Sequence, residues 1–182
     1  MAISLVTELE RVASALTDEN AETSQVSLTA IGERVAKHLG VQTDEVAILR
    51  LSERWKHLHF LAPQALKHVG FIPLSSDSAL AARTVRESRP EINNNFPSAR
   101  HASVFEGVRG ATTSGEAIQK IISAPILCEG KVVGVMQVSR KGLNAQEAGA
   151  DFTPDDLGRV LALCRPLGKL LQHIAGRNES AR

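Results

Sequence analysis

Residues 121–141 read IISAPILCEGKVVGVMQVSRK. Two apolar runs, Ile121–Leu127 and Val132–Ser139, flank Glu129-Gly130, a pattern that predicts an antiparallel β-hairpin. Both arms are rich in Ile and Val and carry apolar groups at both parities, so both faces of these strands are expected to be covered. Gly130 supplies the positive φ that a short hairpin loop needs, and Gly134 allows a backbone or helix to approach closely. Pro125 has no N–H to give a ladder. It belongs at a bulge, or where that N–H would have pointed out of the sheet.

Outward from the hairpin, the chain has 182 residues, enough for a substantial core in one domain with an accessory element. The formal charge is +1, with acids and bases interspersed. That distribution carries no electrostatic footprint for nucleic acid or an anionic membrane. The N-terminus, MAISLVTELERV, has no basic n-region or cleavage site, and no apolar run is long enough to span a bilayer, so a soluble cytoplasmic protein is expected. Cys128 and Cys164 lack metal or redox spacing and read as free thiols.

In order, Ile3, Leu5, Val6, Leu9, Val12, Ala13 and Leu16 recur at helical intervals ahead of the domain proper. Such a stripe either folds back on its own domain or forms a seam with a second chain. Thr17–Ser24 is a polar break, and a helix then starts near Val26 and stops at Gly40, with Leu28, Ile31, Val35 and Leu39 inward. Glu45–Leu51 and Lys56–Leu61 predict a first hairpin. His57 and His59 share a strand face at a spacing that a metal site can use, but no third ligand accompanies them, so a polar edge-strand face is the plainer reading and no metal is assigned. A short strand before Leu74, a helix over Ala79–Glu87, a strand at Glu91–Asn93 and a loose segment over Ser98–Gly115 follow. Phe152-Thr153-Pro154-Asp155-Asp156 supplies a staple residue, an N-cap, a first-turn proline and two acids for a long C-terminal helix. Pro166 is expected to kink it.

Ala124-Pro125-Ile126-Leu127, then Val132-Val133-Gly134-Val135-Met136-Gln137-Val138, resembles the GAF domain, a small-molecule sensor module, and the flanking elements match that family in order from about Ser24 to Ala175. The resemblance implies an α/β (α+β) fold: a central antiparallel sheet of five or six strands, helices packed on one face and a ligand cavity on the other, under the Ala79–Gly115 segment. It divides the chain into an N-terminal helix and polar break (1–23), the sensor domain (24–176) and a tail (177–182). VVGVMQVSRK followed by FTPDD is also similar to the end of the regulatory GAF domains of cyclic-nucleotide phosphodiesterases. Lys141, Phe152 and Asp156 fall on the K, F and D of their signature, while Arg140 and Leu157 stand where it has Asn and Glu. This similarity implies a structural ion pair between Lys141 and Asp156.

Strand parity puts Val133, Val135 and Gln137 on one face and Gly134, Met136 and Val138 on the other. Helices need the close approach that Gly134 permits, so the Gln137 face is expected to look into the cavity, with Phe96 and Phe105 on its far wall. No Walker loop, G-x-G-x-x-G, H-E-x-x-H or G-x-S-x-G occurs, and no catalytic residues are assigned. Binding rather than turnover is expected: a regulatory sensor in signal transduction, acting on an unknown small molecule through a homodimer of its terminal helices or a signalling partner protein. Neither its ligand nor any cofactor is named by the sequence. The rival class is a redox enzyme of the free methionine sulfoxide reductase type, which shares the GAF-like fold and uses cysteines.

Overall fold

The computed structural model describes residues 4–15, 28–68, 70–96 and 116–180. Its elements are α1 (Leu5–Ala15), α2 (Leu28–Leu39), β1 (Val46–Ser52), β2 (His57–Ala62), β3 (Phe71–Pro73), α3 (Leu80–Glu87), β4 (Glu91–Asn93), β5 (Ala117–Cys128), β6 (Lys131–Gly142) and α4 (Pro154–Ser180). Thr17–Ser24, Ser98–Gly115 with Phe105, the helix start at Val26, and Ile3 and Leu16 of the first stripe lie outside the described residues. The side chain of Ile174 does too.

All six strands form one antiparallel sheet in the order β3-β2-β1-β6-β5-β4. The β5–β6 hairpin is its axis, because β6 also pairs with β1 and β5 with β4. Glu129 and Gly130, at φ 50° and 78°, connect Cys128 to its partner Lys131. Positive φ at both central residues is what a type I′ turn requires, and its twist matches that of the strands it joins. β4 pairs with β5 only at residues 121–123. Pro125, paired with Val135 on β6, therefore lies beyond the stretch of β5 that β4 flanks among the described residues.

The alternation along β6 is broken once. Ile126 pairs with Gly134 but Leu127 with Val132, leaving Val133 as an extra residue. A bulge of this kind shifts the parity beyond it. Gly134, Met136 and Val138 consequently face the helices α1, α2 and α4, Val135 and Gln137 face α3, and Val133 turns to the helix side with Gly134 rather than sharing the face of Val135.

Two cores sandwich the sheet. One, under α1, α2 and α4, holds Val35, Ile48, Ile122, Met136, Leu163 and Leu167 among others; the second, under α3, holds Leu49, Leu58, Phe60, Ile121, Val135 and Phe96. Gly134 explains how α4 gets so close. A Cβ at that position would stand 2.7 Å from Leu171 Cδ1 and 2.3 Å from the Leu49 carbonyl oxygen, so a side chain there would have to displace backbone. Thr153 caps α4: its hydroxyl accepts from the Asp156 N–H at 3.2 Å while the Asp156 carboxylate accepts from the Thr153 N–H at 2.9 Å. The helix continues through Pro166, which is buried. Asn94 ties the end of β4 to the start of α4, accepting from the Phe152 N–H at 2.9 Å and donating to its carbonyl at 3.0 Å.

The N-terminal stripe packs within the chain. Leu9 and Ala13 are 3% and 2% exposed in the core shared with α2 and α4, and Leu5, Val6 and Val12 lie against the same cluster. Glu8 and Arg34 add a two-pronged ion pair from α1 to α2. Within the chain Leu9 and Ala13 thus pack against α2 and α4, while Leu5, Val6 and Val12 stay partly exposed.

Candidate functional site

On the α3 side of the sheet, an otherwise apolar core contains a line of three buried polar residues. Ser123 and Gln137 are opposite one another on the central hairpin, and Thr84 comes down from α3. The Gln137 amide donates to Ser123 Oγ at 3.3 Å, Ser123 Oγ and Thr84 Oγ1 are 2.7 Å apart, and Thr84 Oγ1 donates to the Leu80 carbonyl at 3.0 Å. A hydroxyl has one proton to give. With the Thr84 proton spent on Leu80, the Ser123 proton goes to Thr84, and the relay runs in one direction from Gln137 to the α3 backbone. All three residues are at most 2% exposed.

Burying polar atoms in such a core costs free energy unless they are partnered, and a line of hydrogen bonds fixes how the side chains point. Leu80 and Thr84 lie on α3, and the small residues Ala79, Ala81 and Ala82 pack beside them into the same core. Val135 and Phe96 belong to the same core as the relay, at 0% and 1% exposure. Val133, expected beside them, is on the opposite side because of the bulge. Phe105 lies outside the described residues. Thr84 and Ser123 were not singled out in the sequence; the signals available were a Thr on the inward face of an Ala-rich helix and a Ser inside an Ile-rich strand.

The ion pair expected between Lys141 and Asp156 is replaced by other contacts. Lys141 donates to the Asp44 carboxylate at 3.0 Å and to the Asp44 carbonyl at 2.8 Å, because β6 runs beside the start of β1. Buried Glu45 reinforces that corner, accepting from the Lys141 N–H at 2.6 Å and the Gln42 N–H at 2.7 Å. Asp156 caps Thr153 and reaches Arg159 at 3.7 Å. The Thr153 backbone N–H, ahead of its hydroxyl and the charges of Arg140 and Arg159, holds the Asp156 carboxyl below the usual range against the opposing effect of burial.

A concavity of about 340 Å³ opens on the other side of the sheet, between the β5–β6 turn, the end of β1 and α4, where Arg50, Ser52, Cys128, Val133, Leu171 and Gln172 line it. This concavity is separate from the one expected under the Ala79–Gly115 segment, of which residues 97–115 lie outside the described residues. Cys128 donates to the side-chain amide oxygen Oε1 of Gln172 at 2.7 Å, and burial and Glu129 raise its thiol against the pull of Lys169. Burial pushes the Cys164 thiol up to about 12.

His57 packs on Phe71 at 4.6 Å and edge-on to His59 at 6.2 Å. Burial, then the charges of Arg50 and His57, lowers the pKa of His59. Among the described residues, no group of three or more His, Cys, Asp or Glu side chains converges as a metal site needs. No described helix is long and apolar enough to cross a membrane.

A six-stranded antiparallel sheet flanked by terminal helices on one face and a short crossover helix on the other defines an α+β domain. The family model of the GAF domain matches residues 24–171, and the chain belongs to that family. Among solved structures it is similar to the GAF domain of an Acinetobacter phosphoenolpyruvate-protein phosphotransferase, with 19% identity, a TM-score of 0.65 and 97% of each chain covered. It is also similar to a domain of a putative two-component sensor histidine kinase from Sinorhizobium meliloti 1021, at 16% identity and a TM-score of 0.57, covering 88% of this chain and 99% of that one. A third is the type II free methionine-R-sulfoxide reductase from Thermoplasma acidophilum, at 14% identity and a TM-score of 0.57, covering 90% of this chain and 94% of that one. At such identities the likeness is one of fold. No curated protein matches the sequence.

Proposed function

We propose that this GAF domain is a regulatory sensor that binds a small molecule on the α3 side of its sheet and passes the change to a second copy or a signalling partner. The observation that carries this reading is the Thr84–Ser123–Gln137 relay. Polar groups lined up in a core contribute less to stability than apolar side chains of the same shape would, and a few placed polar groups in an apolar setting are what orients a small ligand. The relay also joins α3 to the central hairpin, so a ligand that drew Gln137 or Ser123 into new hydrogen bonds would loosen α3 from the sheet. The hairpin in turn packs against α4 through Gly134 on its other face. A shift at the relay thus has a short mechanical route to the long helix α4. Contact between copies would use the outer surface of α4, where Leu161 is exposed, with the partly exposed Leu5, Val6 and Val12 of α1.

The redox reading is the weaker one, because catalysis by cysteine needs a thiolate. Both thiols here are buried, and both are shifted away from ionisation. A thermal-shift screen of the purified chain against a metabolite library tests the proposal. The expected result is a compound that raises the melting temperature of the wild type and has no effect on a folded Gln137→Leu or Ser123→Ala variant. A hit that stabilises wild type and variants equally, or reduction of free methionine sulfoxide that depends on Cys128, would overturn it.

A further inference from the structure

The cleft at the β5–β6 turn lies across the sheet from the relay and is built differently. At about 340 Å³ it is within the size range of small-ligand sites. On the helix side its lining includes the apolar Val133 and Leu171. Half-buried Arg50 is the one charge set back from the rim; it is on the parity of Val46 and Ile48, facing the helix side, and is paired across strands with His59 on β2 and with Gly134 on β6. Exposed at the rim are Lys131, Glu53 and Glu129. The lining therefore holds two cationic and two anionic side chains, with the inner one cationic. A phosphate ester carrying several negative charges would meet two carboxylates at the rim, and a polyamine would meet Arg50 inside. A molecule with one charge of each sign satisfies both zones.

We propose that this cleft is a second ligand site, taking a zwitterion of amino-acid size with its carboxylate toward Arg50, its ammonium toward Glu53 and Glu129, and its apolar part on Val133 and Leu171. The cleft is well placed to act on α4. Gln172 forms part of its wall and is hydrogen-bonded to Cys128 on the hairpin turn, and Leu171 seats against Gly134. A ligand here touches the output helix directly, whereas one at the relay reaches it through the sheet.

The test is a ¹H–¹⁵N correlation titration of the full chain with the standard free L-amino acids, each compared with its methyl ester, which lacks the carboxylate, and its N-acetyl form, which lacks the ammonium. At least one amino acid is expected to move the amide signals of Ser52, Val133 and Gln172 and to bind about tenfold or more tightly than either blocked form, as loss of a charge-assisted contact implies. Arg50→Gln is expected to weaken it by a similar factor. Should that variant fold poorly, the surface double change Glu53→Gln with Glu129→Gln supplies the same readout on the rim. The site is overturned by no perturbation with any amino acid, by equal binding of the blocked forms, or by shifts confined to Thr84, Ser123 and Gln137. The last result would support the sensor proposal while removing the second site.

Discussion

Gly168 of α4 and Leu127 of β5 meet backbone to backbone: a Cβ on Gly168 would stand 2.0 Å from the Leu127 carbonyl oxygen. No rotamer change relieves such a clash, because the obstacle is main chain. Gly168→Ala is expected to lower unfolding stability by about 1 to 3 kcal/mol, the usual cost of forcing atoms into a packed site. Gly158, on the same helix with nothing within 4 Å of its would-be Cβ, is the control. Gly158→Ala should stabilise the helix by about 0.5 to 1 kcal/mol. Urea denaturation of the two variants checks the contrast; equal effects would mean that α4 does not seat on the hairpin in this way.

Lys141 is expected to couple to Asp44 and not to Asp156. A double-mutant cycle with Lys141→Met and Asp44→Asn should return a coupling of about 0.5 to 1 kcal/mol, whereas Lys141→Met with Asp156→Asn should be additive within about 0.3 to 0.5 kcal/mol. The reverse order would restore the ion pair that the phosphodiesterase-like signature implies.

The capping carboxylate of Asp156 makes a pH prediction. Its pKa is lower in the folded chain than in an unfolded one, so the folded state binds fewer protons in that range. The stability it contributes is complete above the ordinary Asp range and is lost as pH falls through the depressed folded value. The stability difference between wild type and Asp156→Asn should accordingly be largest near neutrality and shrink in acid. A difference that stays constant from neutral pH into strong acid would contradict the capping role.

The cysteines should be unreactive in the native protein. At mildly alkaline pH a thiol-specific alkylating reagent is expected to leave Cys164 untouched, since it is 3% exposed and its thiol is shifted to about 12. Cys128, raised less and set in the wall of the cleft, should react slowly, and both should react at once in denaturant. Rapid native labelling of Cys128 would reopen the reductase reading.

Much of this fold was legible because its signals are local. Glu129-Gly130 between two apolar runs marks the hairpin, and Thr153-Pro154-Asp155-Asp156 marks the start of α4; each depends only on neighbours in the chain. What was not legible depends on contacts that exist only after folding. The bulge at Val133 adds one residue to β6 and moves that side chain to the other face, a change that no count along the strand reveals. Lys141 meets Asp44 because β6 lies beside β1, and nothing near either residue announces it. Thr84 and Ser123 look unremarkable until α3 brings one hydroxyl within 2.7 Å of the other.

Native mass spectrometry of the full chain, freshly purified under non-denaturing conditions, tests the central claim most directly. The sensor account predicts a discrete added mass on the wild-type protein, absent from a folded Gln137→Leu variant and released on unfolding. A bare polypeptide mass for both proteins, unchanged after incubation with a cell metabolite extract, would contradict it.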